Sequence, residues 1–388
     1  MLTIAFESKR LFDSLTGFGT YGRTMISDLA NYFPENRYIL VAHEPYSVLS
    51  KQPTFCSPEV RRIVNLDAVD IMFPPDRGKY YWKVVGAKRK FRREKVNLYH
   101  GLTQQIPRSI RGANIPKILS VHDLIYKNYP NLCINEQGIA DNLDYHDNQL
   151  RKACTASDRI IAVSESTKQD LVDCFSIRPE KINVIYPACD SRYNERISED
   201  QKSQIKSKYG LPEKYLLYVG SMTERKNLLS IVKAMRILPP DDRLSLVIIG
   251  QRTLYTDTVL TYAEDHDLIQ SLVFPDNVTT KDLPAVYQGA EIFIYTSLYE
   301  GFGMPILEAL ASGLPVITSN VSSMPEAAGP NSRLVNPDCS EEIATGISDI
   351  LSNELLRKEM IHNGYLYSAA FNNEIVTKQI VNLYQDLQ

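Results

Sequence analysis

The segment IYTSLYEGFGMPILEALASGLPVITS, residues 294–319, holds the local order that decides the fold of this chain. An apolar run leads into a glycine-rich loop and a helix-like stretch, and a Gly-Leu-Pro turn then precedes a second apolar run. Pro305 stands in the first helical turn, where its missing N–H removes no helical hydrogen bond. This order predicts one unit of a parallel sheet, with a loop whose free backbone N–H groups suit a phosphate or sugar hydroxyls.

Two carboxylates flank the junction between this loop and its helix. Glu300 lies in the loop, and Glu308 lies eight positions later on the first turns of the helix. Both can point into one pocket, where carboxylates accept paired hydrogen bonds from vicinal hydroxyls such as those of a ribose or a hexose. The alternative is a pair of solvated acids, because acidic residues are favoured near helix N-termini in any case.

Short apolar runs separated by helix-length gaps recur along both halves of the chain. Their lack of polar alternation is typical of strands buried on both faces of a parallel sheet. The runs are LTIAF, YILVAH, RIVNL, NLYHG, KILSVHD, RIIAVS and INVIYP, then YLLYVG, LSLVIIG, LVFP, EIFIYTS, LPVITS and RLVNP. Strand–helix alternation that occurs twice predicts an α/β fold of two doubly wound domains, with a ligand cleft at the carboxyl ends of their strands.

The boundary between the two domains falls within residues 188–213, which are polar, hold no strand-like run and end in a Gly-Leu-Pro breaker. We therefore predict one domain over residues 1–195 and a second over residues 205–371. The remaining tail, residues 372–388, carries the apolar spacing of an amphipathic helix.

Composition limits the classes of function that the chain can have. Its 388 residues are 44% hydrophobic, which is enough for two substantial cores. The near balance of 43 basic and 46 acidic residues gives no global attraction to nucleic acid, and none is expected as a partner. The six cysteines form no C-x-x-C pair, so no disulfide or metal framework is indicated. Without a signal-peptide pattern or an apolar run of about 20 residues, we expect a cytoplasmic protein.

A glycine pattern near the N-terminus imitates a dinucleotide-binding turn. Gly17, Gly19 and Gly22 spell G-x-G-x-x-G after the apolar run of residues 2–7. The fingerprint requires the first glycine to follow its strand at once, so that the turn wraps the pyrophosphate. Here nine residues, Ser8 to Thr16, intervene. We interpret the glycines as part of a long loop instead.

The segment EGFGMPILEALASGLPVITS, residues 300–319, closely resembles the E-x7-E signature of the family 4 retaining glycosyltransferases. LLYVGSMTERKNL, residues 216–228, looks like that family's first donor-domain strand and phosphate-binding turn, and VHDLIY and IIAVSESTKQDL look like its N-terminal strands. The resemblance covers essentially the whole chain. It implies a GT-B fold of two Rossmann-like domains, the first for the acceptor and the second for a nucleotide-sugar donor, with the helix of residues 372–388 packed back on the first domain.

The resemblance also implies roles for the turn after the first donor-domain strand. Lys226 matches the lysine that contacts the donor diphosphate, a task that suits a point charge. Ser221 stands at a diphosphate-contacting position where the family often has an arginine. This departure puts the usual arginine–lysine pair in doubt, and Arg225 is the best substitute. A solvated Arg-Lys pair is the alternative.

Within the signature, the resemblance assigns Glu308 to the ribose hydroxyls of the nucleotide and Glu300 to the donor sugar. The backbone of Phe302, Gly303, Met304 and Pro305 is expected to contact sugar hydroxyls and phosphate. These assignments cover the donor side of the site.

Other residues extend the expected site. His122 matches a histidine near the reacting sugar, and His100 is a weaker candidate that ends a neighbouring strand. The nucleobase is expected to pack on residues 272–278, which include Phe274, and on the turn at Gly250. The family's glycine-rich N-terminal loop meets the donor diphosphate or the acceptor, which assigns a backbone contact to Gly17 and Gly19.

A basic segment rich in aromatic residues spans residues 77–95. It holds nine Lys or Arg residues and one acid, Glu94, with Trp82 among its aromatic residues. Basic side chains near an anionic surface contribute about 1 kcal/mol each, so this segment is suited to peripheral contact with the inner face of a membrane or with a charged acceptor. A solvated helix face and nucleic-acid binding are the alternatives.

Together these features predict a retaining glycosyltransferase of surface polysaccharide or glycolipid synthesis. It would move a sugar from GDP-mannose or another nucleotide-diphosphate hexose to a hydroxyl of a glycan or lipid-linked acceptor, without cofactor or metal ion. The VHDLIYKNYP segment favours mannose through its resemblance to mannosyl-transferring relatives. The alternatives are a nucleotide-sugar epimerase, another GT-B enzyme such as a phosphorylase, or a non-catalytic nucleotide-sugar-binding partner.

Overall fold

The computed structural model describes residues 1–13, 17–76, 86–133 and 143–388 of the chain. These form two compact units. Unit 1 consists of Met1–Lys127, Asn142–Pro187 and Asn373–Gln388, and unit 2 of Asn128–Asp141 and Ala188–Asn372. Each unit is built on its own parallel sheet.

Unit 1 contains seven strands, β1 Thr3–Glu7, β2 Arg37–Val41, β3 Val69–Met72, β4 Leu98–Gly101, β5 Lys117–Val121, β6 Arg159–Ala162 and β7 Ile182–Val184. They lie in the order β3-β2-β1-β4-β5-β6-β7, and every pair is parallel. β1, β4 and β5 are buried along their whole length. The strand order reverses between β1 and β4, which is where sheets of this type bind ligands.

Among its described residues, unit 1 has the helices α1 Lys9–Asp13, α2 Gly17–Tyr32, α3 Tyr46–Leu49, α4 Pro58–Val64, α5 Ala87–Arg93, α6 Arg108–Arg111, α7 Ile125–Asn128, α8 Leu143–Ala156 and α9 Glu165–Phe175. A last helix of the chain, Asn373–Gln385, also belongs to this unit and packs on α2. Its buried face includes Val376, Ile380 and Tyr384, as the amphipathic spacing of the tail requires.

Unit 2 contains six strands, β8 Tyr215–Val219, β9 Ser245–Ile249, β10 Leu272–Val273, β11 Ile292–Tyr295, β12 Val316–Ser319 and β13 Arg333–Val335. Their order is β10-β9-β8-β11-β12-β13, again all parallel. The order reverses between β8 and β11, so the loops that follow these two strands face the same ligand-binding position.

The helices of unit 2 are α10 Glu199–Tyr209, α11 Leu228–Ile237, α12 Leu254–Asp265, α13 Leu283–Gln288, α14 Met304–Ala311, α15 Met324–Ala328, α16 Ser340–Ser352 and α17 Glu354–Ser368. With these elements in chain order, the helix of residues 373–385 is α18. The predicted strand, loop, helix and strand of residues 294–319 are β11, the loop to Gly303, α14 and β12. Both units therefore have the doubly wound α/β fold that the sequence predicts.

One apolar run was misassigned. RIVNL, residues 62–66, was expected to be a strand, but Pro58–Val64 forms α4. Ser57 caps this helix by accepting a hydrogen bond from the backbone N–H of Val60, and Pro58 occupies its first turn. Val60 and Ile63, one helical turn apart, are buried. The helix-start signals outweigh the apolar content of the run.

Candidate functional site

The candidate site of unit 2 lies where the two central strands end. β8 is followed by a turn that contains Arg225 and Lys226, and β11 is followed by a loop that contains Glu300. β8 and β11 are hydrogen-bonded neighbours although about 75 residues separate them, with Leu217 opposite Phe293. The fold therefore brings the two loops together at one edge of the sheet.

The Glu300 carboxylate is the centre of this site. Its Oε1 atom lies 2.7 Å from Nη1 of Arg225 and 2.5 Å from Nζ of Lys226. The hydroxyls of Tyr295 and Ser297 donate to the same oxygen at 2.9 and 2.8 Å. The side chains of Glu300, Lys226 and Arg225 are only 11%, 12% and 16% exposed, so these contacts are formed in a largely desolvated pocket.

Ionisation of Glu300 follows from these neighbours. Burial alone raises the pKa of the carboxyl, but the charges of Lys226 and Arg225 and the hydrogen bonds from Lys226 and Ser297 lower it, and the resulting pKa is about 2. Glu300 is therefore an anion at neutral pH. Two cations thus converge on one oxygen of this anion, and arginine and lysine are the side chains that form charge-assisted hydrogen bonds with phosphate oxygens.

Tyr295 connects the members of this cluster. Its hydroxyl donates to Glu300 and accepts a hydrogen bond from Lys226, whose ammonium also lies 4.8 Å from the centre of the Tyr295 ring. Tyr295 is completely buried, and burial first, then the Glu300 charge, raise its pKa well above the ordinary value. The phenol is therefore a permanent hydrogen-bond donor to the carboxylate.

Asn227 fixes the turn that carries the two cations. It has a left-handed backbone conformation with φ of 57°, which asparagine tolerates better than most residues. Its side-chain amide donates to the carbonyl oxygens of Thr296 and Pro337 at 3.1 and 2.8 Å. The carbonyl of Arg225 accepts from the Leu298 backbone N–H at 2.8 Å. The turn and the Glu300 loop are thus bonded to each other through their backbones.

Two serines of the segment after β12 hold the backbone of the glycine-rich loop. Ser322 and Ser323 donate to the carbonyl oxygen of Glu300 at 2.8 and 2.9 Å, and Ser323 also donates to that of Phe302. Gly303 has a φ of 113°, a conformation that disfavours any side chain. The Phe302 ring is buried and lies 5.9 Å from the Phe371 ring, so any contact of Phe302 with a ligand must come from its backbone.

This loop leads into α14, whose first residues, Met304 and Pro305, are both partly exposed. The partial positive charge of the helix start therefore lies beside the Glu300 cluster, as the sequence predicts.

Glu308 projects from α14 into a different environment. Tyr287 donates to its Oε2 at 3.0 Å, and its pKa is raised to about 7, chiefly by burial. The charge of Asp190 raises this pKa further, whereas Arg192 and the tyrosine hydrogen bonds oppose the rise. Glu300 and Glu308 therefore differ in charge state near neutral pH, although both belong to the E-x7-E pattern.

The expected nucleobase region lies at the ends of β9 and β10. The Arg252 guanidinium lies 4.5 Å from the centre of the Phe274 ring, so this planar cation covers one face of the ring. Gly250 has a φ of 151°, and a Cβ atom there would lie 1.9 Å from the carbonyl oxygen of Gly220. Gly250 is thus required for the close approach of the turn before Ser221, whether or not it contacts a base.

Ser221 takes part in this turn through its backbone. Its carbonyl oxygen accepts a hydrogen bond from the Tyr218 hydroxyl at 3.1 Å. Arg225, the expected substitute for an arginine at this position, lies with Lys226 on the same carboxylate oxygen. The geometry therefore provides an arginine–lysine pair from adjacent residues of one turn.

In unit 1, His122 follows the end of β5. Its Nε2 lies 2.8 Å from the carbonyl oxygen of Leu102, and because a carbonyl only accepts, Nε2 carries the proton. Burial lowers the pKa of His122 to about 4, so the ring is neutral at physiological pH and Nδ1 is an acceptor. The rings of Phe18 and Tyr21 contact it edge-on at 4.7 and 4.6 Å.

His100 is a structural residue rather than a second site histidine. It is completely buried at the end of β4, where Nδ1 lies 2.7 Å from the Tyr384 hydroxyl and Nε2 lies 2.9 Å from the Ser120 hydroxyl. Both ring nitrogens are therefore occupied by protein groups, one of them on α18. Burial lowers its pKa to about 3.

The interpretation of Gly17 and Gly19 as loop residues is wrong. Both lie in the first turn of α2, and Gly19 is buried. Gly22, in the second turn of α2, packs directly against Leu11, because a Cβ atom at Gly22 would lie only 2.6 Å from the leucine Cδ1. Any contact of Gly17 with an anion would be made by backbone N–H groups at a helix start, not by an extended loop.

The basic segment is described only in part, since residues 77–85 lie outside the described residues. Residues 87–93 form α5, with Phe91 buried 6.0 Å from the Tyr99 ring. Glu94 pairs with Arg37 at 3.2 Å. The described half is thus a helix with two buried apolar residues, Ala87 and Phe91, and with basic side chains on its remaining faces. The membrane contact stays a prediction.

Several hydrogen bonds that position the candidate site are not predicted from the sequence. The hydroxyls of Tyr295, Ser297 and Tyr287 bind the two signature carboxylates, and Ser322 and Ser323 bind the loop backbone. The only local signal was the placement of Tyr295 and Ser297 at the carboxyl end of a buried strand, where side chains of α/β proteins reach a ligand.

Two doubly wound units with parallel sheets have the GT-B fold of glycosyltransferases. Family models agree: residues 23–193 match Glycosyltransferase Family 4 and residues 200–367 match Glycosyl transferases group 1. The chain belongs to this glycosyltransferase family and is an enzyme of that class. The assignment of individual site residues rests on geometry and the resemblance.

Two curated relatives are mannosyltransferases. The chain is 29% identical over 291 residues to O-antigen chain mannosyltransferase B of Escherichia coli, which covers 74% of each chain. It is 26% identical over 286 residues to the serotype-specific mannosyltransferase WbdA of Escherichia coli, covering 71% of this chain but only 34% of that protein. The chain therefore spans about a third of WbdA.

Solved structures agree on the fold. Alr3699/HepE of Anabaena, solved in complex with UDP, aligns over 100% of both chains with a TM-score of 0.77 and 17% identity. WaaG, described as a glycosyltransferase involved in lipopolysaccharide biosynthesis, covers 99% of both chains with a TM-score of 0.67 and 15% identity. At these identities the likeness is one of fold. Among the described residues, no helix is long and apolar enough to cross a membrane.

Proposed function

We propose that the chain is a retaining mannosyltransferase that moves a sugar from GDP-mannose, or from another nucleotide-diphosphate hexose, to a hydroxyl of a growing surface glycan. The observation that carries the donor half is the convergence of Arg225 and Lys226 on Glu300. The mannosyl and polysaccharide assignments draw support from the names of the two Escherichia coli relatives.

In this proposal the donor diphosphate binds Lys226 and Arg225. Cleavage of the bond between sugar and diphosphate builds negative charge on the leaving group, and two fixed cations in a desolvated pocket stabilise that charge. They take the place that a metal ion has in other transferases, so transfer should persist in the presence of a chelator.

Glu300 and the backbone of the glycine-rich loop bind the donor sugar. The ionised carboxylate accepts from sugar hydroxyls, and Tyr295 and Ser297 fix its orientation. Glu308 accepts from the ribose hydroxyls of the nucleotide, and Phe274 offers a ring face for the base. Electrostatics and positioning therefore account for catalysis in this proposal, without a covalent intermediate on Glu300.

Unit 1 supplies the acceptor half of the proposal. His122 is neutral and has Nδ1 as an acceptor, so it can accept a hydrogen bond from a sugar hydroxyl other than the one that attacks the donor. Retention of the anomeric configuration is explained if the donor phosphate accepts the proton of the acceptor hydroxyl on the same face as the leaving group.

A donor screen tests this proposal first. UDP-, GDP-, ADP- and CMP-sugars are compared by thermal shift, because a ligand that binds only the folded state stabilises it by RT ln(1 + [L]/Kd). GDP-mannose should give the largest shift. The product formed with a mannoside acceptor is then analysed by NMR, and an α-linkage from the α-configured donor supports retention.

Variants separate an enzyme from a binding protein. Lys226→Ala should reduce donor turnover at least a hundredfold, since a cation that acts on the leaving group is removed. Lys281→Ala, an exposed lysine elsewhere in unit 2, is the matched control and should leave turnover unchanged. If Lys226→Ala and Glu300→Ala turn over donor at the wild-type rate, the site assignment fails. Binding without any turnover by the wild type would indicate a non-catalytic protein.

A further inference from the structure

Unit 1 contains a cavity of about 590 Å³ that the proposed function does not use. It lies between the loop that follows β4, helix α6 and helix α8. Its lining is polar and basic, with Gln105, Ile106, Pro107, Arg108, Arg111, Gln149 and Lys152. Three of these seven residues are cationic, two are amides and none is acidic.

Arg111 is fixed in this wall. Its Nε donates to the Ile106 carbonyl at 2.8 Å and its Nη2 donates to Oε1 of Gln149 at 2.9 Å. Both partners are uncharged, so the guanidinium charge is not compensated by them. Burial lowers the pKa of Arg111, Tyr145 opposes this effect, and the charge of Arg108 lowers the pKa further. The positive charges of Arg108 and Arg111 therefore repel each other, and a bound anion would reduce this repulsion.

Arg108 and Lys152 are exposed, and neither forms an ion pair with another residue in the described part of the chain. On α8, Asp147 is bound by Lys127 and Arg151 at 3.1 and 2.7 Å. The cationic surface continues onto α5, where Lys88 donates to the carbonyl oxygen at Gly112, the C-cap of α6.

The cavity is connected to His122 through the loop after β4. Leu102 in that loop holds His122, and Gln104 donates to the Asp123 carbonyl at 3.1 Å. The next residue, Gln105, lines the cavity. Gly101 allows this course, since a Cβ atom there would lie 2.3 Å from the Gln105 carbonyl oxygen. One short loop therefore contacts the candidate acceptor histidine and the basic cavity.

We propose that this cavity binds a phosphate or diphosphate group carried by the sugar acceptor, so that the enzyme selects phosphate-linked acceptors over neutral ones. The inference rests on the proposed function, which gives the acceptor to unit 1. Arginine forks bind phosphate oxygens in pairs, lysine adds a point charge, and the volume accommodates a diphosphate.

A binding experiment tests the cavity without requiring sugar transfer. Inorganic pyrophosphate is titrated by calorimetry, at fixed ionic strength, into Arg225→Ala/Lys226→Ala protein, in which both proposed donor-side phosphate contacts are removed. Saturable binding should weaken at least tenfold when Arg108→Glu and Lys152→Glu are added. Lys51→Glu with Arg62→Glu, two exposed residues of unit 1 outside the cavity, makes the same change in net charge and should have no effect. No saturable binding, or equal weakening in both pairs, overturns the proposal.

A transfer experiment then identifies the source of the phosphate. Wild-type protein is given one mannoside with an alkyl phosphate at its reducing end and one with a neutral alkyl group. The Arg108→Glu/Lys152→Glu variant should raise KM for the phosphate-bearing acceptor at least tenfold and leave the neutral acceptor and donor hydrolysis unchanged. At saturating donor, free pyrophosphate should raise KM for the phosphate-bearing acceptor and leave KM for the neutral acceptor unchanged. Equal use of both acceptors by the wild type contradicts the proposal.

Two further outcomes are distinguishable. If the wild type hydrolyses no donor but pyrophosphate binding still depends on Arg108 and Lys152, the proposed function fails and the anion site remains. If the variant loses only its flotation with phosphatidylglycerol vesicles and keeps pyrophosphate affinity, the surface contacts a membrane and the acceptor-phosphate proposal is overturned.

Discussion

The hydroxyl of Tyr295 donates to Oε1 of Glu300 at 2.9 Å, and both residues are buried at the switch point of unit 2. Because Lys226 donates to the same hydroxyl, the phenol lies between the cation and the anion of the proposed donor site. Its position couples the orientation of the carboxylate to that of the ammonium group.

Tyr295→Phe should therefore lower kcat about tenfold with a smaller change in KM, because the hydrogen bonds to Glu300 and from Lys226 are lost while the ring remains. Steady-state kinetics with a nucleotide sugar measures this. Tyr215→Phe removes an equally buried hydroxyl, which donates to the Val286 carbonyl, and serves as the matched control. A kcat loss of the same size in both variants would mean that Tyr295 acts only through stability.

Glu300 should contribute to stability as well as to sugar binding. Glu300→Ala leaves Arg225 and Lys226 buried without their anion, a change that costs about 3–5 kcal/mol when a buried pair is broken. Urea unfolding measures the loss. Glu300→Gln keeps the shape but also removes the charge, so it should lose nearly as much stability as Glu300→Ala. A free energy of unfolding close to that of the wild type in Glu300→Gln would contradict an electrostatic origin.

The stability that Glu300 contributes should fall as the pH is lowered. The folded pKa of Glu300, about 2, lies below its ordinary value of 4.5, so its contribution is complete above pH 4.5 and is lost as the pH falls toward 2. The shift corresponds to about 3 kcal/mol. Glu300→Gln should remove this dependence between pH 4.5 and 2, as followed by urea midpoints.

Much of the fold follows from local patterns in the sequence. Strands buried on both faces, such as β5 and β11, have continuous apolar runs that are recognisable without long-range information. β3 was not found because it is an edge strand, and its polar Asp70 pairs with Arg37 at 2.6 Å on the neighbouring strand. An edge strand needs no continuous apolar run. The nearby run RIVNL, residues 62–66, has the apolar content of a strand but lies mostly in α4.

The candidate site was predictable only in part. Lys226, Glu300 and Glu308 belong to a recognisable pattern, whereas the contribution of Tyr295 depends on the pairing of β8 with β11 across about 75 residues of sequence. His100 has the same sequence signal as His122, since each stands at the end of a continuous apolar run. Only the structure distinguishes them, because both ring nitrogens of His100 are occupied.

Glu308 should make stability and donor binding depend on pH near neutrality. Its folded pKa, about 7, lies above the ordinary value of 4.5, so folding favours the protonated form and stability falls as the pH rises from 4.5 to 7. Glu308→Gln should remove this fall, which urea midpoints measured from pH 5 to pH 8 will show. The two buried histidines change stability with the opposite sign below pH 6.5, so the difference between wild type and variant is the informative quantity. An unchanged profile in the variant would contradict the assignment.

The bond between His100 and Tyr384 should make α18 necessary for the stability of unit 1. Tyr384→Phe leaves a completely buried imidazole nitrogen without its partner, which costs about 1–3 kcal/mol. Tyr365→Phe, at an exposed tyrosine of α17, should change the free energy of unfolding by less than about 0.5 kcal/mol. Urea unfolding, with hydrogen exchange of the β4 amides, measures both effects. Because His100 has a structural role and not a catalytic one, Tyr384→Phe should lower stability while kcat of the folded protein stays at the wild-type value. A loss of kcat without a loss of stability would instead indicate that His100 takes part in the reaction.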